Sequence, residues 1–78
     1  MEERLNYLYA QLKQLANGNK ALCFSAACKL GYYEGTELET YSISLFEVDD
    51  RPFLISCAFE SFDKCLEAIN AYKVENGL

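Results

Sequence analysis

From Ala21 to Leu30 the apolar side chains recur at every second position. Leu22, Phe24, Ala26, Cys28 and Leu30 fall on one side, and Ala21, Cys23, Ser25, Ala27 and Lys29 on the other. Period two is the pattern of a β-strand with one buried face, so the chain must supply a second layer to cover that face. Its 78 residues provide for one domain and one core, near the lower size limit for a core that stands unaided. An apolar fraction of 51%, with five Phe and six Tyr, is enough to fill it.

The covering layer comes from the two ends. Met1, Leu5, Leu8, Leu12 and Leu15 are spaced 4-3-4-3, which predicts a helix over 2–16 with one apolar stripe. Glu2 and Glu3 suit its N-terminus, and Asn17-Gly18-Asn19 ends it. Two heptads indicate a helix facing its own core, since a coiled coil normally needs three or four. At the other end Ser61 caps a second helix, with Asp63 in its first turn, Phe62, Cys65, Leu66, Ile69 and Tyr72 as its stripe, and Gly77 as its stop.

Between the helices the alternation predicts three strands, over 20–33, 38–48 and 53–60. The turns are Tyr33-Glu34-Gly35-Thr36 and Asp49-Asp50-Arg51-Pro52. Tyr41, Ile43 and Leu45 face inward on the second strand, opposite in sense to Thr40, Ser42 and Ser44. Phe46 and Val48 break the pattern, which predicts a bulge or burial on both faces near the strand's end. On the third strand Phe53, Ile55, Cys57 and Phe59 are expected inward, and Leu54, Ser56 and Ala58 outward. The reading is an α+β, two-layer α-β-β-β-α fold in which a three-stranded antiparallel meander packs against two helices.

Twelve acidic residues against seven basic ones, with no His, leave a net charge of −5. That balance disfavours direct nucleic-acid and anionic-membrane binding, and makes a basic protein surface the natural complement. The α-β-β-β-α order resembles that of double-stranded RNA-binding domains. In those domains basic residues at the start of the last helix grip phosphates. Here that stretch reads Ser61-Phe62-Asp63-Lys64-Cys65-Leu66-Glu67, so the resemblance implies topology without RNA binding. No apolar run reaches the roughly 20 residues of a spanning helix. The acidic start, Met1-Glu2-Glu3-Arg4, is unlike a signal peptide, so a cytoplasmic location with reduced cysteines is expected.

The usual chemistries find little support. Cys23 and Cys28 loosely have a zinc-like spacing, but on a strand they point to opposite faces, and no His assists them. Cys28, Cys57 and Cys65 read as buried small hydrophobes, which leaves Cys23 as the cysteine to suspect of thiol reactivity. The glycines are isolated, so no phosphate loop forms, and no Ser/His/Asp set is available. The expectation is a non-enzymatic protein without metal or cofactor.

Two surfaces carry the functional reading. Strand directions gather Glu2, Glu3, Glu34, Glu37, Glu39, Glu60 and Asp63 at one edge, beside Tyr32 and Tyr33, with Arg4 and Lys64 as nearby bases. Glu47, Asp49, Asp50 and Glu75 lie at the opposite edge with Lys20 and Arg51. Charged turns are ordinary solvated features. An acidic edge flanked by tyrosines also suits a basic cleft, with Glu34, Glu37, Glu39, Glu60 and Asp63 supplying charge and Tyr32 and Tyr33 contact area. The outer sheet face is expected to hold Ala21, Cys23, Ser25, Ala27, Ser42, Ser44, Ser56 and Ala58, small residues that permit close approach of a second copy.

Size, acidity and the lack of catalytic groups together resemble the small inhibitors carried by phages and mobile elements, anti-CRISPR proteins among them. That resemblance is one of profile over the whole chain and carries no individual residue. It implies a stoichiometric binder that presents acids to a basic protein surface. The alternatives are a homo-oligomeric structural or adaptor protein, using the small-residue face or the Leu5/Leu8/Leu12/Leu15 stripe, and a thiol-based regulator using Cys23.

Overall fold

The computed structural model describes residues 2–18, 21–49 and 52–78. Met1, Asn19, Lys20, Asp50 and Arg51, which figure in the helix stripe, the stop, the second turn and the lower charged edge, lie outside the described residues. The order is α1 (Glu2–Ala16), β1 (Leu22–Tyr33), β2 (Thr36–Glu47), β3 (Ile55–Glu60) and α2 (Phe62–Glu75). The strands form one antiparallel sheet in the order β1-β2-β3. This is the α+β fold that the alternating pattern called for.

Both helices pack on one face of the sheet. Tyr41, Ile43 and Leu45 of β2 and Ile55 of β3 are buried against Leu8 and Leu12 of α1 and Cys65 and Ile69 of α2. Leu22, Phe24, Ala26 and Cys28 extend this core along β1 as partly buried neighbours. The alternation therefore assigns the covered face correctly on β2 and on β1 as far as Cys28, while Leu30, expected on that face, lies beyond the core and is 46% exposed; the opposite face of the sheet carries neither helix.

Local chemistry sets the helix ends. Ser61 is extended (φ −67°, ψ 161°), and its Oγ accepts the Lys64 N–H at 3.2 Å, satisfying one orphan donor of α2. At the far end Gly77 takes a left-handed φ of 68°, its N–H reaches the Val74 carbonyl, and the Leu78 N–H reaches the Lys73 carbonyl at 2.8 Å. These two bonds are the glycine-terminated cap that closes many helices. Lys73 Nζ then donates to Gln11 Oε1 at 2.7 Å and ties α2 to α1.

The structure departs from the sequence reading on β2 and β3. The β1–β2 register is unbroken from Leu22↔Glu47 to Tyr33↔Thr36, so of the two expectations at Phe46 the bulge is absent and the burial on both faces holds, with Leu45 buried and Phe46 half-buried. Phe46 instead obeys the alternation, turns to the outer face and meets the Phe53 ring edge-on at 5.2 Å. Phe53, expected inward, is 55% exposed and precedes β3. The bulge lies in β3. Ile43 pairs with Cys57 and Tyr41 with Glu60, which sets Ala58 and Phe59 together opposite Ser42. Phe59 takes φ +56°, its N–H donates to Ser42 Oγ at 3.0 Å, and its ring is 64% exposed. An extra residue shifts the side-chain parity, and so Phe59 leaves the core that simple alternation assigned to it.

The β1–β2 connection is tighter than a hairpin starting β2 at residue 38 would be. Glu34 (φ 51°) and Gly35 (φ 80°) are the two central residues of a turn closed by the Tyr33–Thr36 pair. Positive φ at both positions defines a type I′ turn, which favours Asn or Asp followed by Gly. Gly35 meets that preference and Glu34 does not, since a residue of L configuration carries a penalty of about 1–2 kcal/mol in that region. Glu34→Asn should therefore raise stability by about 0.5–1 kcal/mol, read as a higher denaturant midpoint at unchanged slope. An unchanged or lower midpoint would contradict the turn assignment.

Candidate functional site

The β1–β2 hairpin outruns the rest of the sheet. β3 pairs with β2 only as far as Tyr41, so residues 30–39 continue as a two-stranded arm. The principal extents of 42 × 22 × 20 Å reflect that elongation. The arm leaves large apolar groups in solvent: Tyr32 is 78% exposed and Tyr33 68%, and Leu30 and Leu38 are also open. A lone two-stranded ribbon is marginally stable in water, and exposed aromatic groups on one mark a contact surface.

The acidic residues named from the sequence are not equivalent. Glu34 and Glu37 stand exposed at the arm's tip, with Glu37 opposite Tyr32 in register. Glu39 lies half-buried lower on the arm, opposite Leu30. Glu60 faces Tyr41 across the β2–β3 pair, and Asp63 sits in the first turn of α2, so these two border the arm's base. The tip therefore brings together Glu34, Glu37, Tyr32 and Tyr33, while Glu39, Glu60 and Asp63 form its root. The two expected bases are engaged elsewhere. The Arg4 guanidinium lies 5.4 Å from the Phe62 ring centroid, and Lys64 Nζ is 3.8 Å from Glu67. Among the described residues no ion pair neutralises Glu34 or Glu37.

On the outer face the expected small residues do lie together. Ser25 and Ser44 pair in register with their Oγ atoms 2.7 Å apart, and Ser44 also faces Ser56. Ala27 pairs with Ser42, which accepts the Phe59 N–H, and Ala58 lies in the bulge beside it. Cys23 pairs with Phe46, and Ala21 precedes β1 on the same side with its carbonyl accepting the Val48 N–H. The sequence pattern missed the walls of this floor, Phe46 with Phe53 at one end and Phe59 at the other. Lys29 Nζ sits 5.6 Å from the Phe59 centroid, and with Tyr33, Leu38 and Thr40 they line a shallow depression of about 210 Å³ at the arm's root. Its signal was the bulge, which the sequence does not announce because Phe and not Gly occupies the left-handed position.

The cysteines that meet are Cys57 and Cys65, with sulfurs 3.5 Å apart on the helix-covered face, and the Cys65 thiol also lies 3.7 Å from the Tyr41 carbonyl. Burial first, then the hydrogen bond with Cys57 and the negative charge of Cys57 and Glu60, push the Cys65 thiol up to about 12. Burial, with Glu39 adding to it, also raises Cys28. Thiols shifted this way are poor nucleophiles at neutral pH. Nearby, Glu39 Oε1 and the Tyr41 hydroxyl are buried without a hydrogen-bond partner among the described residues. Among those residues no group of three or more His, Cys, Asp or Glu is placed to hold a metal ion, and no helix is long and apolar enough to cross a membrane.

Comparison with known proteins finds no matching family model, no matching curated protein and no matching solved structure.

The raised Cys65 thiol has a consequence for stability. Below pH 9 the thiol is neutral in both folded and unfolded chains. Between its ordinary value of 9.0 and about 12 the unfolded chain releases the proton while the folded one keeps it, so stability falls as pH rises through that window. The slope from this group is at most about 1.4 kcal/mol per pH unit. Urea titrations of the wild type and Cys65→Ala from pH 8 to 11 should give a difference that shrinks as pH rises, and a constant difference would refute the assignment.

Proposed function

We propose that this chain is a non-enzymatic protein-binding module whose β1–β2 arm enters a cleft or channel with a basic lining on a protein partner. The observation that carries the reading is the arm's tip: two carboxylates, Glu34 and Glu37, without an ion pair among the described residues, beside two tyrosines that are 78% and 68% exposed. Tyrosine offers contact area with few rotors to freeze, and uncompensated carboxylates steer the approach toward positive potential. A surface that ordinarily holds nucleic acid has that potential, so a stoichiometric inhibitor of such a protein fits the arm's chemistry. Glu39, Glu60 and Asp63 extend the negative field from the arm's root.

The rest of the molecule supports the same reading. The arm springs from the covered core through continuous strand pairing, so it is presented on a rigid base. Its acids cluster where a partner would meet the ribbon end-on, and the net charge of −5 adds long-range attraction to the same targets.

The test compares wild type with Glu34→Lys/Glu37→Lys and with a charge-matched control, Glu67→Lys/Glu75→Lys on α2. Each tagged chain is used as bait in extract from its own source at low and raised salt. The wild type and the control should retain one discrete partner at stoichiometric yield, released by salt, while the arm variant binds it at least tenfold more weakly. Equal retention by arm variant and control would overturn the arm model.

A further inference from the structure

The two edges of the sheet are built differently. β3 is six residues long, follows Pro52 and carries the Ala58–Phe59 bulge, all features that discourage further strand pairing. β1 is twelve residues long, keeps one register with β2 throughout, and contains no proline and no bulge. Two contacts fix the direction of its backbone groups. The Ala21 carbonyl accepts the Val48 N–H at 2.8 Å, and the Lys29 carbonyl faces Thr40 Oγ1 at 3.5 Å. Odd-numbered residues of β1 thus turn their amides and carbonyls toward β2. Leu22, Phe24, Ala26, Cys28, Leu30 and Tyr32 turn theirs to the open edge, where no described strand pairs with them.

We propose that this open edge docks a second copy of the chain, the two β1 strands pairing antiparallel about a twofold axis to give a six-stranded sheet. Charge favours this occupant. β1 is the one element without an Asp or Glu, and its single charge, Lys29, projects onto the outer face over Phe59. In a chain carrying −5, it is the strip along which two copies approach with least repulsion. An antiparallel edge is also self-complementary, as a twofold contact requires. With the axis at Ala27, Leu30 comes opposite Phe24 of the second copy and Tyr32 opposite Leu22, which buries apolar groups that are exposed in one chain. An axis at Cys28 preserves the same faces. A strand of this length runs about 40 Å at ~3.3 Å per residue, a narrow strip that places the dimer among the smaller, micromolar interfaces. The inference does not rest on the arm's acids but shares Tyr32 with the partner-binding reading; Ala26→Pro and Ala27→Lys leave the arm's tip unchanged, so the failure of one reading is told apart from the failure of the other.

The experiment is sedimentation equilibrium under reducing conditions from about 1 μM to about 1 mM, on wild type, Ala26→Pro and Ala27→Lys. Ala26→Pro deletes an outward N–H that the β1–β2 ladder does not use, so the monomer retains its fold, checked by circular dichroism. Ala27→Lys adds a cation on the outer face beside the axis. Wild type should pass reversibly from monomer to dimer, and both variants should dimerise at least tenfold more weakly. Amide exchange should slow with concentration at Leu22, Phe24, Ala26, Cys28, Leu30 and Tyr32. A wild-type monomer throughout, assembly beyond a dimer, equal dimerisation of Ala27→Lys, or a dimer whose even-numbered β1 amides stay unprotected would each overturn the proposal, and the last two hold even if Ala26→Pro does not fold.

Discussion

Everything in this fold depends on the inner face of β2. Among the described strands it is the one paired on both sides, and Tyr41, Ile43 and Leu45 share a buried cluster with residues of both helices. Burying a side chain of this size contributes roughly 1.5–3 kcal/mol. In a chain this short each such residue is a large share of the hydrophobic stabilisation, since small domains bury a smaller share of their surface. Leu8 and Leu12 reach this face from α1, and Cys65 and Ile69 reach it from α2. Beyond that shared seat α1 packs along β1 and α2 along β3.

The end of that seat creates the arm. At Tyr41 the third strand gives out: the bulge turns Phe59 outward, Glu60 makes the last pair, and Ser61 caps a helix whose first residue, Phe62, lays its ring on Tyr41 and Tyr7. The chain leaves the sheet in order to cover it. β1 and β2 run on past this point with no third strand among the described residues, and apart from the half-buried Glu39 the large side chains there are exposed on both faces. A left-handed Phe and a left-handed Glu, each unfavourable for its residue type, occupy the two places where this geometry is set.

How much of this was legible depended on whether a local period carried the information. The alternation in β1 and β2 and the leucine spacing in α1 are periodic signals, and each assigned its buried face correctly. The helix caps were legible because Ser61, Gly18 and Gly77 are the residue types that such positions favour. What could not be read were the features made by an atypical residue. The turn Tyr33–Thr36 was read where it stands, but Glu34 does not announce its tight form, so β2 looked shorter than it is. Phe59 concealed a bulge, and with it the parity change that empties one expected core position. Phe53, an aromatic residue next to Pro52, looked like the start of a strand but is placed by its contact with Phe46. The tip grouping of Glu34, Glu37, Tyr32 and Tyr33 was visible in sequence because a hairpin gathers its own neighbours. The meeting of Cys57 and Cys65 was only half legible: both were placed inward, but their contact depends on how α2 packs against β3.

The distribution of charge links the two surfaces. Acids occupy the arm, the turns and both helices, while β1 has none. Screening reduces interactions between exposed charges beyond about 8 Å at physiological ionic strength. Repulsion between two copies therefore weakens as salt rises, and a β1 edge contact made by backbone hydrogen bonds and apolar side chains is left in place. An arm held in a basic cleft has the opposite dependence, because its attraction is the electrostatic component that salt removes. On these two proposals the same net charge would oppose edge pairing in dilute, low-salt solution and favour the arm's approach to positive surfaces. That is a physical reason for a small chain to carry a long open strand and a strongly acidic balance together.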